Sequence, residues 1–331
     1  MKKKVAIGLC LAMVFSLVAC GSSSGTTTET AGEEATEDAS DVGETEESTE
    51  EQHYKIGFSF QDASQPFHTT IRDEIQSIVE ANGDTFIYAD PAMDQQLQID
   101  QIEDMITQEI DILVLNAVEN DGVLPALEAC KNAGIPIIAY DARPVDDGYI
   151  VSYIASDNVT AGGLIGEYAM EQLEEGSKVG IMYFPYSDSI INRTDGFEST
   201  VGDYFEVVRG EVTVGYILET AEDMIQANPD LDAIFGPYEG FSIVAAAAVQ
   251  AAGLGDTVQV YGVDGSPSEK EAIESGEMTA TAAQSPVSIA DKTAEVMYQY
   301  LAGEEVESEY LLDSFIIDAD NVAEYGTDGW Q

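Results

Sequence analysis

The chain has 331 residues, with 63 acidic against 12 basic side chains and a formal net charge of −51. A surface this negative excludes nucleic acid as a partner and repels anionic membrane surface. Three cysteines and two histidines leave little from which to build a disulfide framework or a metal site, and no cofactor is expected.

Residues 1–20 read as a signal peptide: Lys2, Lys3 and Lys4 precede the apolar run Val5 to Ala19, which is too short to span a membrane stably. The run ends in Leu17-Val18-Ala19-Cys20-Gly21, which looks like a bacterial lipobox. Cys20 is therefore expected to carry a diacylglyceryl group, and two acyl chains suffice for stable anchoring. Residues 21–53 are an acidic tether, rich in Ser, Thr, Glu and Asp, with no Lys or Arg. Such a segment buries too little apolar surface to offset its ordering entropy and is expected to be disordered. Its reach is at most on the order of 100 Å, with a coil average nearer ~30 Å. A lipid-anchored domain on such a tether suits a Gram-positive cell surface better than a periplasm.

Beyond the tether, strands and helices alternate. Tyr54–Phe60 reads as a strand, Pro66 opens a helix to about Ala81, and Thr85–Ala89 is a second strand. A helix over 95–107, the apolar strand Asp111–Leu115 and a helix over 121–133 lead into Ile135–Tyr140, a buried strand ending in Asp141 and Arg143. With Cys10 in the signal peptide and Cys20 lipidated, Cys130 is left without a disulfide partner and is expected to pack as a small apolar residue. The strand Val151–Ala155 runs into Ser156, Asp157 and Asn158, good caps for the next helix. The alternation then restarts, with helices over 159–173, 188–201, 219–227, 240–252, 267–275 and 286–302. Strands are expected over 178–184, 204–209, 231–235, 258–262, 279–283 and near 311–317. Strands apolar throughout, rather than at every second residue, indicate parallel sheets covered on both faces. About 279 residues are too many for most single cores and suit two α/β lobes.

Five motifs then stand in order: Gln65-Pro66-Phe67, Ile154-Ala-Ser-Asp-Asn158 with Gly162-Gly163, Arg193-Thr-Asp-Gly-Phe197, Gly262-Val-Asp-Gly-Ser-Pro267 and Thr281-Ala-Ala-Gln284. In order and spacing they resemble the ribose-type (type I) periplasmic sugar-binding proteins of ABC importers, over residues 54–317. The resemblance implies two Rossmann-like lobes joined by three crossings near 156, 284 and 312. The N-terminal lobe would hold 54–156 plus 285–312, and the C-terminal lobe 157–284 plus 313–331. It also implies a monomer that binds a sugar or polyol between the lobes and delivers it to a transporter permease.

The same resemblance nominates Gln65, Phe67, His68, Asp141, Arg143, Arg193, Tyr238, Asp264 and Gln284 as ligand-binding residues. Carboxylates and a guanidinium can satisfy sugar hydroxyls in bidentate pairs, while a ring covers the C–H face. As a cleft residue, Asp264 is expected to add little to the core, so that Asp264→Ala would shift the unliganded Tm by no more than a few degrees. Two departures stand out. Ala142 separates Asp141 from Arg143, where the family places the Arg immediately after the Asp. Tyr238-Glu239 replaces the family's Asn-Asp, which leaves room for a smaller polyol, a modified sugar or a planar non-sugar such as a nucleoside. Enzymatic function is not expected, because the first strand leads into Gln61-Asp-Ala-Ser-Gln-Pro-Phe67 rather than a glycine fingerprint, and no P-loop or nucleophile elbow appears. A sensory receptor on the same fold, partnered with a chemoreceptor or kinase, is the alternative role.

Overall fold

Two six-stranded sheets organise the chain. They are seen in a computed structural model that describes residues 53–145, 148–213 and 215–331; the expected signal segment, Cys20 and the tether up to residue 52 lie outside these residues. The first sheet uses β1 (Lys55–Ser59), β2 (Thr85–Ala89), β3 (Ile112–Leu115), β4 (Ile137–Tyr140), β5 (Ile150–Ser156) and the late strand β11 (Glu309–Leu312), in the order β11-β5-β4-β3-β1-β2. Helices α1 (Pro66–Ala81), α2 (Gln95–Thr107), α3 (Leu124–Ala133) and α9 (Pro286–Leu301) cover it.

The second sheet repeats that plan. It is built from β6 (Lys178–Tyr183), β7 (Glu206–Glu211), β8 (Ala233–Gly236), β9 (Gln259–Asp264), β10 (Ala280–Ala283) and β12 (Phe315–Asp318), in the order β12-β10-β9-β8-β6-β7. Helices α4 (Asn158–Gln172), α5 (Asp188–Val201), α6 (Ile217–Ala227), α7 (Glu239–Ala251), α8 (Pro267–Ser275) and the short α10 (Val322–Tyr325) accompany it. Inner strands such as β3, β4, β8 and β10 are buried at every residue, whereas β2, β7 and β11 at the sheet edges are partly exposed. Continuous apolar runs therefore mark strands covered on both faces.

The chain passes between the sheets after Ser156, after Gln284 and at Asp313–Ser314. The run near 311–317, expected as one strand, is two: β11 joins the first sheet parallel to β5, and β12 joins the second antiparallel to β10. β12 therefore departs from the expected all-parallel arrangement. Smaller differences lie at element ends. The strand expected at 204–209 forms over Glu206–Glu211, and the helix expected from 121 starts at Leu124 with Pro125 in its first turn, where a missing N–H costs nothing. Cys130 is a free, fully buried thiol on α3, and burial pushes it up to about 12.

Close helix packing in the second lobe fixes the position of Arg193. A Cβ on Gly162 of α4 would lie 1.8 Å from the Arg193 carbonyl oxygen, and a Cβ on Gly196 of α5 would lie 2.0 Å from that of Val159. The two helices thus cross backbone to backbone through reciprocal glycines, which places Arg193 against the start of α4.

Candidate functional site

Parallel strands present their carboxyl ends along one edge of a sheet, and that edge collects the polar residues here. In the second sheet, Asp264 ends β9, Pro237 and Tyr238 follow β8, and Gln284 follows β10. Arg193 comes from α5 and is 4% exposed. Its Nη1 donates to Asp264 Oδ1 at 2.9 Å and to the Pro237 carbonyl at 3.0 Å, and its Nε donates to Asn158 Oδ1 at 2.8 Å. Nη2 takes part in none of these bonds.

Asp264 is the hub. Besides Arg193 it accepts from Gln284 Nε2 at 2.8 Å and from the Glu239 backbone N–H at 2.9 Å. Its φ of +133° is strained for a residue with a Cβ, at a cost of about 1–3 kcal/mol, and these bonds hold it there. Burial pushes its carboxyl up, while Arg193 and the Glu239 N–H pull it back toward the charged form. Behind it, Glu269 is fully buried within a capping box with Ser266. Its carboxyl accepts from Ser242 Oγ (2.6 Å), Thr281 Oγ1 (2.9 Å) and the Gly265 N–H (2.8 Å). Burial, then the Asp264 charge, push Glu269 up to about 8. Gln284 reaches across to the other lobe, its Oε1 accepting from Ser156 Oγ at 2.9 Å.

The first sheet presents a sparser set. Asp141 follows β4 with φ +57°, a left-handed conformation that Asp tolerates. Asn116, which follows β3, donates to Asp141 Oδ2 at 3.1 Å, and Tyr153 OH donates to the Asp141 carbonyl at 2.5 Å. His68 is 4% exposed. Burial pushes it down, while Asp141 and Asp62 favour its charged form. His68 Nδ1 and Asn116 Oδ1 are buried without a hydrogen-bond partner. The Phe67 ring meets the His68 ring edge-on at 5.4 Å. The Asp141 charge also acts on Asp264, so the carboxylates of the two sheets sense each other.

Of the nominated residues, Arg193, Asp264 and Gln284 form one bonded cluster. Tyr238 stands beside it with its phenol pushed up by burial, then by Asp264 and Glu239. Phe67, His68 and Asp141 group on the other lobe. Gln65 sits at the start of α1 without a side-chain cap bond. Arg143 is redirected: its guanidinium pairs with Glu309 of β11 and lies 4.9 Å above the Tyr153 ring, half-exposed. With Ala142 interposed, it is carried past the strand end to the β5–β11 side, away from Asp264. The sequence did not single out Asn116, Asn158 or Glu269 as site residues. Asn116 could have been found, since it ends a buried strand as Asp141 does, whereas Glu269 looks like an ordinary first-turn helix acid. Among the described residues no group of three or more His, Cys, Asp or Glu side chains is placed to hold a metal ion.

Residues 56–305 match the family model described as periplasmic binding protein domain. The ribose import binding protein of Salmonella typhimurium is 31% identical over 255 residues, covering 75% of this chain and 85% of that protein. The fructose import binding protein of Bifidobacterium longum is 25% identical over 342 residues, covering 98% of this chain and 96% of that protein. Among solved structures, an ABC transporter solute-binding protein from Mycobacterium smegmatis with bound glycerol superposes with a TM-score of 0.75 at 28% identity, covering 84% of this chain and 99% of that one.

Proposed function

The chain belongs to the periplasmic binding protein domain family, and from that premise we propose that it captures a sugar or polyol between its two sheets and delivers it to an ABC importer. The observation that carries this reading is the buried cluster of Arg193, Asp264 and Gln284 facing Asp141. Asp141 and Asp264 accept hydrogen bonds from ligand hydroxyls, and Arg193 offers Nη2 as a donor, so a polyhydroxylated ring finds both kinds of partner. Phe67 covers the apolar face of that ring. No bond is made or broken: members of this family bind and release. Tyr238 places a phenol where the family motif carries an amide, and this selects among sugars. Arg143, paired with Glu309 and lying over the Tyr153 ring, is left out of the site.

Ligand closes the lobes about the three crossings, with Ser156 and Gln284 as a polar strut at the hinge, and the closed form is what the permease reads. The protein acts outside the cytoplasm as a monomer, held by lipid on Cys20. Among the described residues no helix is long and apolar enough to cross a membrane. If Cys20 carries the anchor, Cys20→Ser should abolish incorporation of labelled palmitate.

The binding reading is tested by a thermal-shift screen of the chain from residue 21 onward against D-ribose, D-fructose, D-allose, myo-inositol, glycerol, nucleosides and amino acids. At a hundredfold excess over Kd a true ligand stabilises by about 2.7 kcal/mol, a rise in Tm of several degrees. A response confined to amino acids or nucleosides would replace the sugar assignment.

A further inference from the structure

The segment Gly329–Gln331, which lies outside the Arg193–Asp264–Gln284 cluster, runs along the back of the hinge. Gln331 Nε2 donates to the Gln284 carbonyl at 2.6 Å and approaches the Asp264 carbonyl at 3.4 Å. Ser285 Oγ donates to the Gln331 main-chain oxygen at 2.5 Å. Lys270 of α8, fully buried, donates from Nζ to the Gly329 carbonyl at 2.6 Å and to Gln331 Oε1 at 3.1 Å. A Cβ on Gly265 would lie 2.4 Å from Ala283 Cβ and 2.6 Å from Gln331 Nε2, so the backbone beside Asp264 is packed closely by both β10 and this segment. From this anchorage on the second lobe, Trp330 crosses to the first, where its ring meets Phe67 edge-on at 5.5 Å. Its indole N–H is buried without an acceptor. A loosely held tail would turn that donor to water, so the ring is kept in place by its packing and its anchors.

We propose that Trp330 and Gln331 are positioning residues of the cleft: Gln331 braces the main chain of Asp264 and Gln284 from behind, and Trp330 sets the Phe67 ring and ties its position to the hinge. The inference rests on the ligand-binding reading. A lobe rotation that parts Phe67 from Trp330 breaks this contact. Trp330 is also the single tryptophan of the chain, so its fluorescence, excited apart from the tyrosines, reports on the contact with Phe67.

The test uses the chain from residue 21 with D-ribose, D-fructose and D-allose as probes. Trp330→Ala should weaken the best of them about tenfold, and Trp330→Phe, which keeps an edge-on ring, should recover most of the loss at equal Tm. Asp141→Asn serves as the reference. If it loses affinity while Trp330→Ala does not, the positioning role is wrong; if neither changes, the ligand-binding reading itself has failed. Should none of the three sugars bind, hydrogen exchange of the free protein decides. Trp330→Ala and Gln331→Ala should speed exchange about tenfold at 67–71 and 285–289 but not in β6 or β8. Acceleration confined to α8 and α10 would reduce the segment to local packing and overturn the proposal.

Discussion

The two lobes share one strand plan but finish their facing edges differently. On the second lobe nearly every polar atom is committed: Arg193 bonds to Asn158, Asp264 and Pro237, Asp264 also to Gln284 and Glu239, and Glu269 to four donors. On the first, Asp141 has one side-chain partner, while Asn116 Oδ1 and His68 Nδ1 are buried with none. A committed network is rigid and costly to break, since removing one member strands the others in a low dielectric. Uncommitted groups are free for a ligand. The second lobe thus holds a preorganised charge array, and the first holds unpaired polar capacity, which in the proposed reading a ligand completes.

The sharpest way to break this contrast is at the helix crossing beneath Arg193. Gly162→Ala drives a methyl into the Arg193 carbonyl, forcing α4 and α5 apart, and should cost about 3 kcal/mol or more. Chemical denaturation measures it, and an unchanged midpoint would mean that the crossing does not fix the arginine. Asp264→Ala comes next, at roughly 3 kcal/mol, because it leaves a buried guanidinium without its carboxylate. This revises the expectation that Asp264→Ala shifts the unliganded Tm by no more than a few degrees: the residue is buried, and its removal should lower that Tm further. The parallel change Asp141→Asn should leave Tm nearly unmoved.

A gentler probe is pH. Glu269 has a folded pKa of about 8, above its unfolded value, so the folded state holds the proton more tightly. That stability is fully present below about pH 4.5 and is lost as pH rises through about 8. When protonated, Glu269 can donate to Ser242 Oγ while that hydroxyl turns to the Glu239 carbonyl, 3.0 Å away. Glu269→Gln keeps the neutral pattern, and it should flatten the decline in Tm between pH 5 and 8 that the native chain displays. A slope retained in the variant would assign it to other groups. The smallest effect belongs to Arg143→Ala. A half-exposed pair with Glu309 is worth up to about 1 kcal/mol, and sugar affinity should not change; a large loss of affinity would return Arg143 to the cleft.

Much of this molecule is local in origin. Continuous apolar runs bounded by caps and Gly or Pro turns determine the order of strands and helices, because backbone hydrogen bonding and burial act within short windows. The strand-end positions of Asp141, Asp264 and Gln284 follow from the same pattern. Gly162 and Gly196 are visible in the motifs, but that they meet backbone to backbone is a contact between α4 and α5 that emerges only in the fold. The split of 311–317 between two sheets came only with the fold, as a two-residue crossing leaves no trace in periodicity. The fold alone turned Arg143 to Glu309, placed Glu269 beneath Asp264 and brought Trp330 from the far end of the chain onto Phe67. Each of these depends on contacts between residues distant in sequence, and the direction of a side chain at a strand end is set by whichever partner the fold brings within reach.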